Sequence, residues 1–137
     1  MEGFRVLVAA FDAGPHHHAF GRHFFREYCT GLLVNRLRID RELTEHPEIL
    51  SVPLERPLII TGLPRSGTTF LHRLMSEDPA GRTLLFWETV TPAPSPRPET
   101  YAIDPRIEQA QRGLNIINRI APQIQAAHHF AADQPEE

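Results

Sequence analysis

The chain has 137 residues, 41% of them apolar, and a formal net charge of -3, which allows one domain with a modest core and excludes a strongly basic nucleic-acid binder. All fourteen basic residues are arginine and one residue, Cys29, is cysteine, so a P-loop lysine, a Schiff-base lysine, an internal disulfide and a cysteine-rich zinc site are all excluded. No run approaches the roughly 18 apolar residues of a membrane span and the amino terminus lacks a signal-peptide pattern, so the expectation is a soluble cytoplasmic protein with neither membrane nor nucleic acid as partner.

The first apolar run, residues 4–11, suits a helix or a strand and is closed by Gly14-Pro15. His16-His17-His18 reads as an exposed loop rather than a metal tract. Residues 19–45 read as a helix: Phe20, Phe24, Tyr28 and Leu32 recur every four residues, with Phe25, Leu33 and Leu37 on a neighbouring stripe. Cys29 on this helix reads as core packing. His46-Pro47 ends or kinks the helix. Residues 1–56 therefore read as an amino-terminal helical segment, and residues 57–137 as a second region.

In that second region Leu58-Ile59-Ile60-Thr61 predicts a short buried strand, running into Gly62-Leu63-Pro64-Arg65-Ser66-Gly67-Thr68-Thr69. Phe70, Leu71, Leu74 and Met75 have helical spacing, which Asp78-Pro79 stops. Leu84-Leu85-Phe86-Trp87 predicts a second strand. Residues 91–98, with four prolines, predict an extended loop, read as a long loop beside the acceptor site in preference to a polyproline ligand for a partner domain. Asp104-Pro105 predicts a helix start, with Asp as cap and Pro in the first turn. Ile107, Ala110, Leu114 and Ile117 are its apolar stripe, and Pro122 breaks or kinks the helix near Ala121. Strand, loop, helix and strand form a βαβ unit, so the expected fold is α/β: a P-loop NTPase-like parallel sheet flanked by helices. Two strands cannot make a stable parallel sheet, so the region is expected to be part of a larger, truncated domain. An open sheet edge would invite pairing into a homo-oligomer.

The loop has the spacing of a Walker A motif, Gly62-x-x-x-x-Gly67-Thr68-Thr69, with Thr68 where lysine would stand. Its physical logic survives. A glycine turn lets backbone N–H groups converge on an anion at the positive end of the following helix. Thr68 and Thr69 add hydroxyl donors, and Arg65 supplies charge and a bidentate grip. A nucleoside-triphosphate enzyme must neutralise a highly charged polyphosphate, usually with lysine plus magnesium. A phosphosulfate carries less charge on the transferred group, so this loop favours sulfuryl transfer without a metal over a kinase-like P-loop phosphotransferase.

Pro64-Arg65-Ser66-Gly67-Thr68-Thr69, set between an apolar segment and Phe70-Leu71-His72-Arg73-Leu74, resembles the 5′-phosphosulfate loop of the sulfotransferase family, in its bacterial-type branch with Arg in place of Lys. Pro105-Arg106-Ile107 and Ala132-Asp133-Gln134-Pro135-Glu136-Glu137 also resemble that branch. The resemblance implies 3′-phosphoadenosine-5′-phosphosulfate (PAPS) as donor and a small-molecule hydroxyl or amine as acceptor. It places the 5′-phosphate and sulfate on Pro64, Arg65, Ser66, Gly67, Thr68 and Thr69. The family's 3′-phosphate contacts have no counterpart in this sequence, which keeps open a non-catalytic remnant or binding module.

Transfer also needs a group to take the acceptor proton. Glu88, at the end of the second expected strand, is the first choice, because open α/β sheets place ligands there. The resemblance agrees. His128 is a further candidate, with His129 beside it; adjacent helical positions point about 100° apart, so the two would not clasp one metal ion from a helix. His72 reads as a helix-surface residue.

Overall fold

The computed structural model describes residues 2–14, 18–63, 66–124 and 130–135. The chain divides into two compact units, Met1–Leu37 and Arg38–Glu137. The division falls inside a helix, whose residues from Arg38 onward belong to the second unit.

The first unit is made by α1 (Glu2–Asp12) and the first part of α2 (Ala19–Glu45). The apolar run of α1 is helical. Phe4, Val8 and Phe11 recur at helical spacing and line one groove with Phe25, Cys29 and Leu33 of α2. Phe11 and Phe25 stack with centroids 3.7 Å apart and planes 3° off parallel, and Cys29 is buried against them. The amide of Gly14 closes the end of α1 on the Phe11 carbonyl at 3.0 Å. His18 sits just before α2, where its Nδ1 accepts from the Gly21 amide at 3.1 Å.

The second unit contains a 3-10 turn (Pro47–Ser51), α3 (Thr68–Ser76), α4 (Phe86–Val90), a second 3-10 turn (Pro98–Ile103) and α5 (Pro105–Ile120). Asp104 caps α5 by accepting from the Arg106 amide at 2.9 Å, with Pro105 in the first turn. Beyond its last residue, Ile120, the Ala121 amide bonds the Ile117 carbonyl. The core lies between α4 and α5. Trp87 is fully buried there with Ala110 and Ala132, and Leu85, Phe86, Tyr101 and Ile107 pack around them. Residues 130–135 return to this core. The Gln134 and Ala132 carbonyls accept from the amides of Phe86 and Trp87 at 2.9 and 3.1 Å, satisfying the first turn of α4.

The expected sheet is absent among the described residues. Residues 58–61 are not helical, but they join no strand ladder, and Leu58 and Ile59 are 69% and 78% exposed rather than buried. A parallel strand draws its hydrogen bonds from neighbours, and the described residues supply none. The second expected strand is replaced from Phe86 onward by α4. There the amides of Glu88 and Thr89 turn back to the Leu85 carbonyl, and the Thr91 amide bonds Trp87. Those local bonds, reinforced by the Glu88 side chain at the helix start, outweigh the β propensity of Leu84-Leu85-Phe86-Trp87.

Candidate functional site

Of the expected loop, residues 62–63 and 66–69 are described. The Ser66 amide closes a turn on the Leu63 carbonyl at 3.2 Å. Gly67 then adopts a left-handed conformation, with φ at 89°, and opens α3 without a side-chain cap. The first amides of a helix have no intrahelical acceptor, so the helix presents its positive end beside Ser66 and Gly67, which are exposed, and Thr68 and Thr69, which are half-buried. Gly62 supports this turn at close range. A Cβ there would lie 2.7 Å from Ser66 Oγ and 3.0 Å from Thr68 Cγ2. Pro64 and Arg65 lie outside the described residues, as do His16, His17, His128 and His129. His72, on α3, is half-buried.

Glu88 occupies a different setting from the strand end expected of it. It is the third residue of α4 and only 5% exposed. Its Oε1 accepts from Arg82 Nη2 at 2.5 Å. Its Oε2 accepts from the Leu85 amide and from the Tyr101 hydroxyl, both at 2.9 Å. Burial and the neighbouring Glu88 carboxylate both push the Tyr101 hydroxyl above the ordinary tyrosine range, while Arg82 pulls it down.

Beside this cluster, Arg106 organises the proline-rich loop. Its Nε and Nη2 grip both oxygens of Asp104 at 2.9 and 2.7 Å, and its Nη1 reaches the carbonyls of Thr91 and Pro94 at 3.0 and 2.7 Å. Its guanidinium lies 4.7 Å from the centre of the Trp87 ring. The Asp104 ion pair holds that carboxyl below the usual range and raises Arg106. Further along the loop, the Ser95 amide donates to Glu42 at 2.7 Å and lowers its carboxyl in turn. The loop is thus tied down at Thr91, Pro94 and Ser95. Sequence reasoning missed Tyr101, Arg82 and this role of Arg106. Only the Asp104-Pro105-Arg106 helix start pointed toward any of it.

Among the described residues no three His, Cys, Asp or Glu side chains converge as a metal centre requires, and no helix is long and apolar enough to cross a membrane.

Comparisons with known proteins agree on a direction. The model of the "Sulfotransferase family" matches residues 57–137. The solved structure of sulfotransferase STF1 from Mycobacterium tuberculosis H37Rv is 32% identical and superposes with a TM-score of 0.75 over 98% of this chain. The chain spans 38% of the length of that structure. No curated relative matches the sequence.

Proposed function

This chain belongs to the sulfotransferase family, and from that premise we propose that residues 62–69 bind the phosphosulfate end of PAPS and that Glu88 takes the acceptor's proton. The observation that carries the reading is the start of α3: a left-handed glycine follows a tight turn and opens the helix with no side-chain cap of its own, flanked by Ser66, Thr68 and Thr69. Such a terminus suits an anion with several oxygens. The likeness to a mycobacterial sulfotransferase supports a phosphosulfate as that anion.

The acceptor is a small molecule with a hydroxyl or amine. Its oxygen or nitrogen attacks sulfur in line, and a new bond to sulfur forms as the bond to the bridging phosphate oxygen breaks. The 3′,5′-bisphosphorylated adenosine leaves with the electron pair. Loop amides, the hydroxyls of Thr68 and Thr69 and the Arg65 guanidinium stabilise the charge gathering on its 5′-phosphate. The acceptor's proton passes to the Glu88 carboxylate. The charge on the transferred group is low enough for these donors to serve without a metal.

Calorimetric titration with adenosine 5′-phosphosulfate, 3′,5′-bisphosphoadenosine and ATP with magnesium tests the binding step. Sulfated nucleotide should bind, and Arg65→Ala should abolish that binding. Magnesium-dependent binding of ATP alone would instead identify a phosphotransferase of the kinase type. Sulfuryl transfer from PAPS to a panel of phenols and amines tests the chemistry. Full transfer by E88Q would remove Glu88 as the base.

A further inference from the structure

We propose that the two oxygens of Glu88 have divided roles: Oε2 is anchored, with Tyr101 as the residue that positions it, and Oε1 exchanges partners, with Arg82 as its displaceable occupant. This deepens the reading of Glu88 as the base and rests on it.

The three donors to the carboxylate differ in how firmly the fold holds them. On Oε2, the Leu85 amide is backbone at the start of α4, and the Glu88 and Thr89 amides bond the carbonyl of that same residue. The Tyr101 ring packs 5.4 Å from the fully buried Trp87, so its hydroxyl is delivered by the core. On Oε1, the one donor among the described residues is the Arg82 guanidinium, whose side chain is 62% exposed and which lies outside any regular element. The bond is short and charge-assisted, yet water competes for an exposed long side chain and its ordering costs entropy.

Lone-pair counting separates the oxygens further. A carboxylate oxygen accepts two hydrogen bonds. Oε2 already accepts two. Among the described residues Oε1 accepts from Arg82 alone, which leaves one site beside it and two once Arg82 swings into solvent. Displacement of Arg82 would therefore let an acceptor hydroxyl bond Oε1 while both bonds to Oε2 stay in place. A proton arriving there leaves both bonds to Oε2 intact, so the carboxyl keeps its orientation through transfer. Tyr101 and the Leu85 amide set that orientation, while Arg82 neutralises the charge until a substrate replaces it.

Two readouts on the whole chain test this without turnover. The chain has two tyrosines, so in a Y28F background tyrosinate absorbance reports Tyr101 alone. E88Q should lower its titration midpoint, by removing a negative charge and an acceptor. R82Q should raise it, by removing a positive charge while Glu88 stays in place. At neutral pH, exchange of the Leu85 amide hydrogen should stay within about twofold of wild type in R82Q and become several-fold faster in E88A. If R82Q instead lowers the Tyr101 midpoint, or speeds Leu85 exchange as much as E88A does, Arg82 holds the carboxylate and the proposal is overturned. A fully active E88Q would refute the base and leave these two readouts as they are, so the two failures are distinguishable.

Discussion

Asp104 and Arg106 show how much one pair of side chains organises. The side chains are 10% and 12% exposed and meet through a two-pronged ion pair, while Asp104 also caps α5. Replacing Asp104 by Asn keeps a capping acceptor but removes the charge. D104N should therefore cost about 2 kcal/mol, from the lost charged bonds. D104A should cost about 1 kcal/mol more, because the cap goes too. Urea unfolding of both variants measures the difference. The pair also predicts a pH dependence. The folded-state pKa of Asp104 is depressed, so its contribution is present above the unfolded value of about 3.9 and is lost as pH falls through the lower folded value. Below about pH 4 the wild type should lose stability more steeply than D104N, as thermal melts across that range would show.

At the scale of elements, the start of α3 depends on two glycines in different ways. Gly67 has φ at 89° with open space around it, so G67A meets backbone strain and no clash. It should cost about 1 kcal/mol of stability. Gly62 faces the opposite condition, because an added methyl would push on Ser66 Oγ and Thr68 Cγ2. Ser66 can rotate away, so G62A should leave stability nearly unchanged and weaken binding of adenosine 5′-phosphosulfate. Urea unfolding and calorimetry on the same two proteins separate these outcomes. The start of α3 after Gly67 falls where the glycine spacing suggested, because that spacing is a local signal; the Asp104 cap was legible too, and at His46-Pro47 and Pro122, which allow a stop or a kink, α2 and α5 stop. The two expected strands do not form among the described residues. Residues 58–61 carry β propensity but depend on partners distant in sequence, and Phe86 and Trp87 were claimed by a helical turn whose stabilising carboxylate comes from Glu88. The surroundings of Glu88 were illegible for a related reason: Arg82 and Tyr101 reach it through packing, which no spacing rule encodes.

For the whole chain, the most consequential property is apolar surface left in contact with water. Leu54, Leu63 and Phe70 are 87%, 79% and 74% exposed, in addition to Leu58 and Ile59. Soluble monomers rarely expose much contiguous apolar surface unless a partner or ligand covers it. The chain should enhance the fluorescence of an anilinonaphthalene sulfonate dye while still folded, and L63S/F70S should reduce that signal. Since both residues are largely exposed, the double variant should unfold within about 0.5 kcal/mol per site of the wild type. Equal dye fluorescence from both proteins would locate the dye elsewhere. A different consequence follows from where two rare residues fall. The sole cysteine, Cys29, is buried in the first unit, and the sole tryptophan, Trp87, is buried in the second. Each unit thus carries its own intrinsic reporter. Thiol trapping clocks the opening of one and indole emission the melting of the other, so whether the two come apart together or in sequence can be read from a single unlabelled sample.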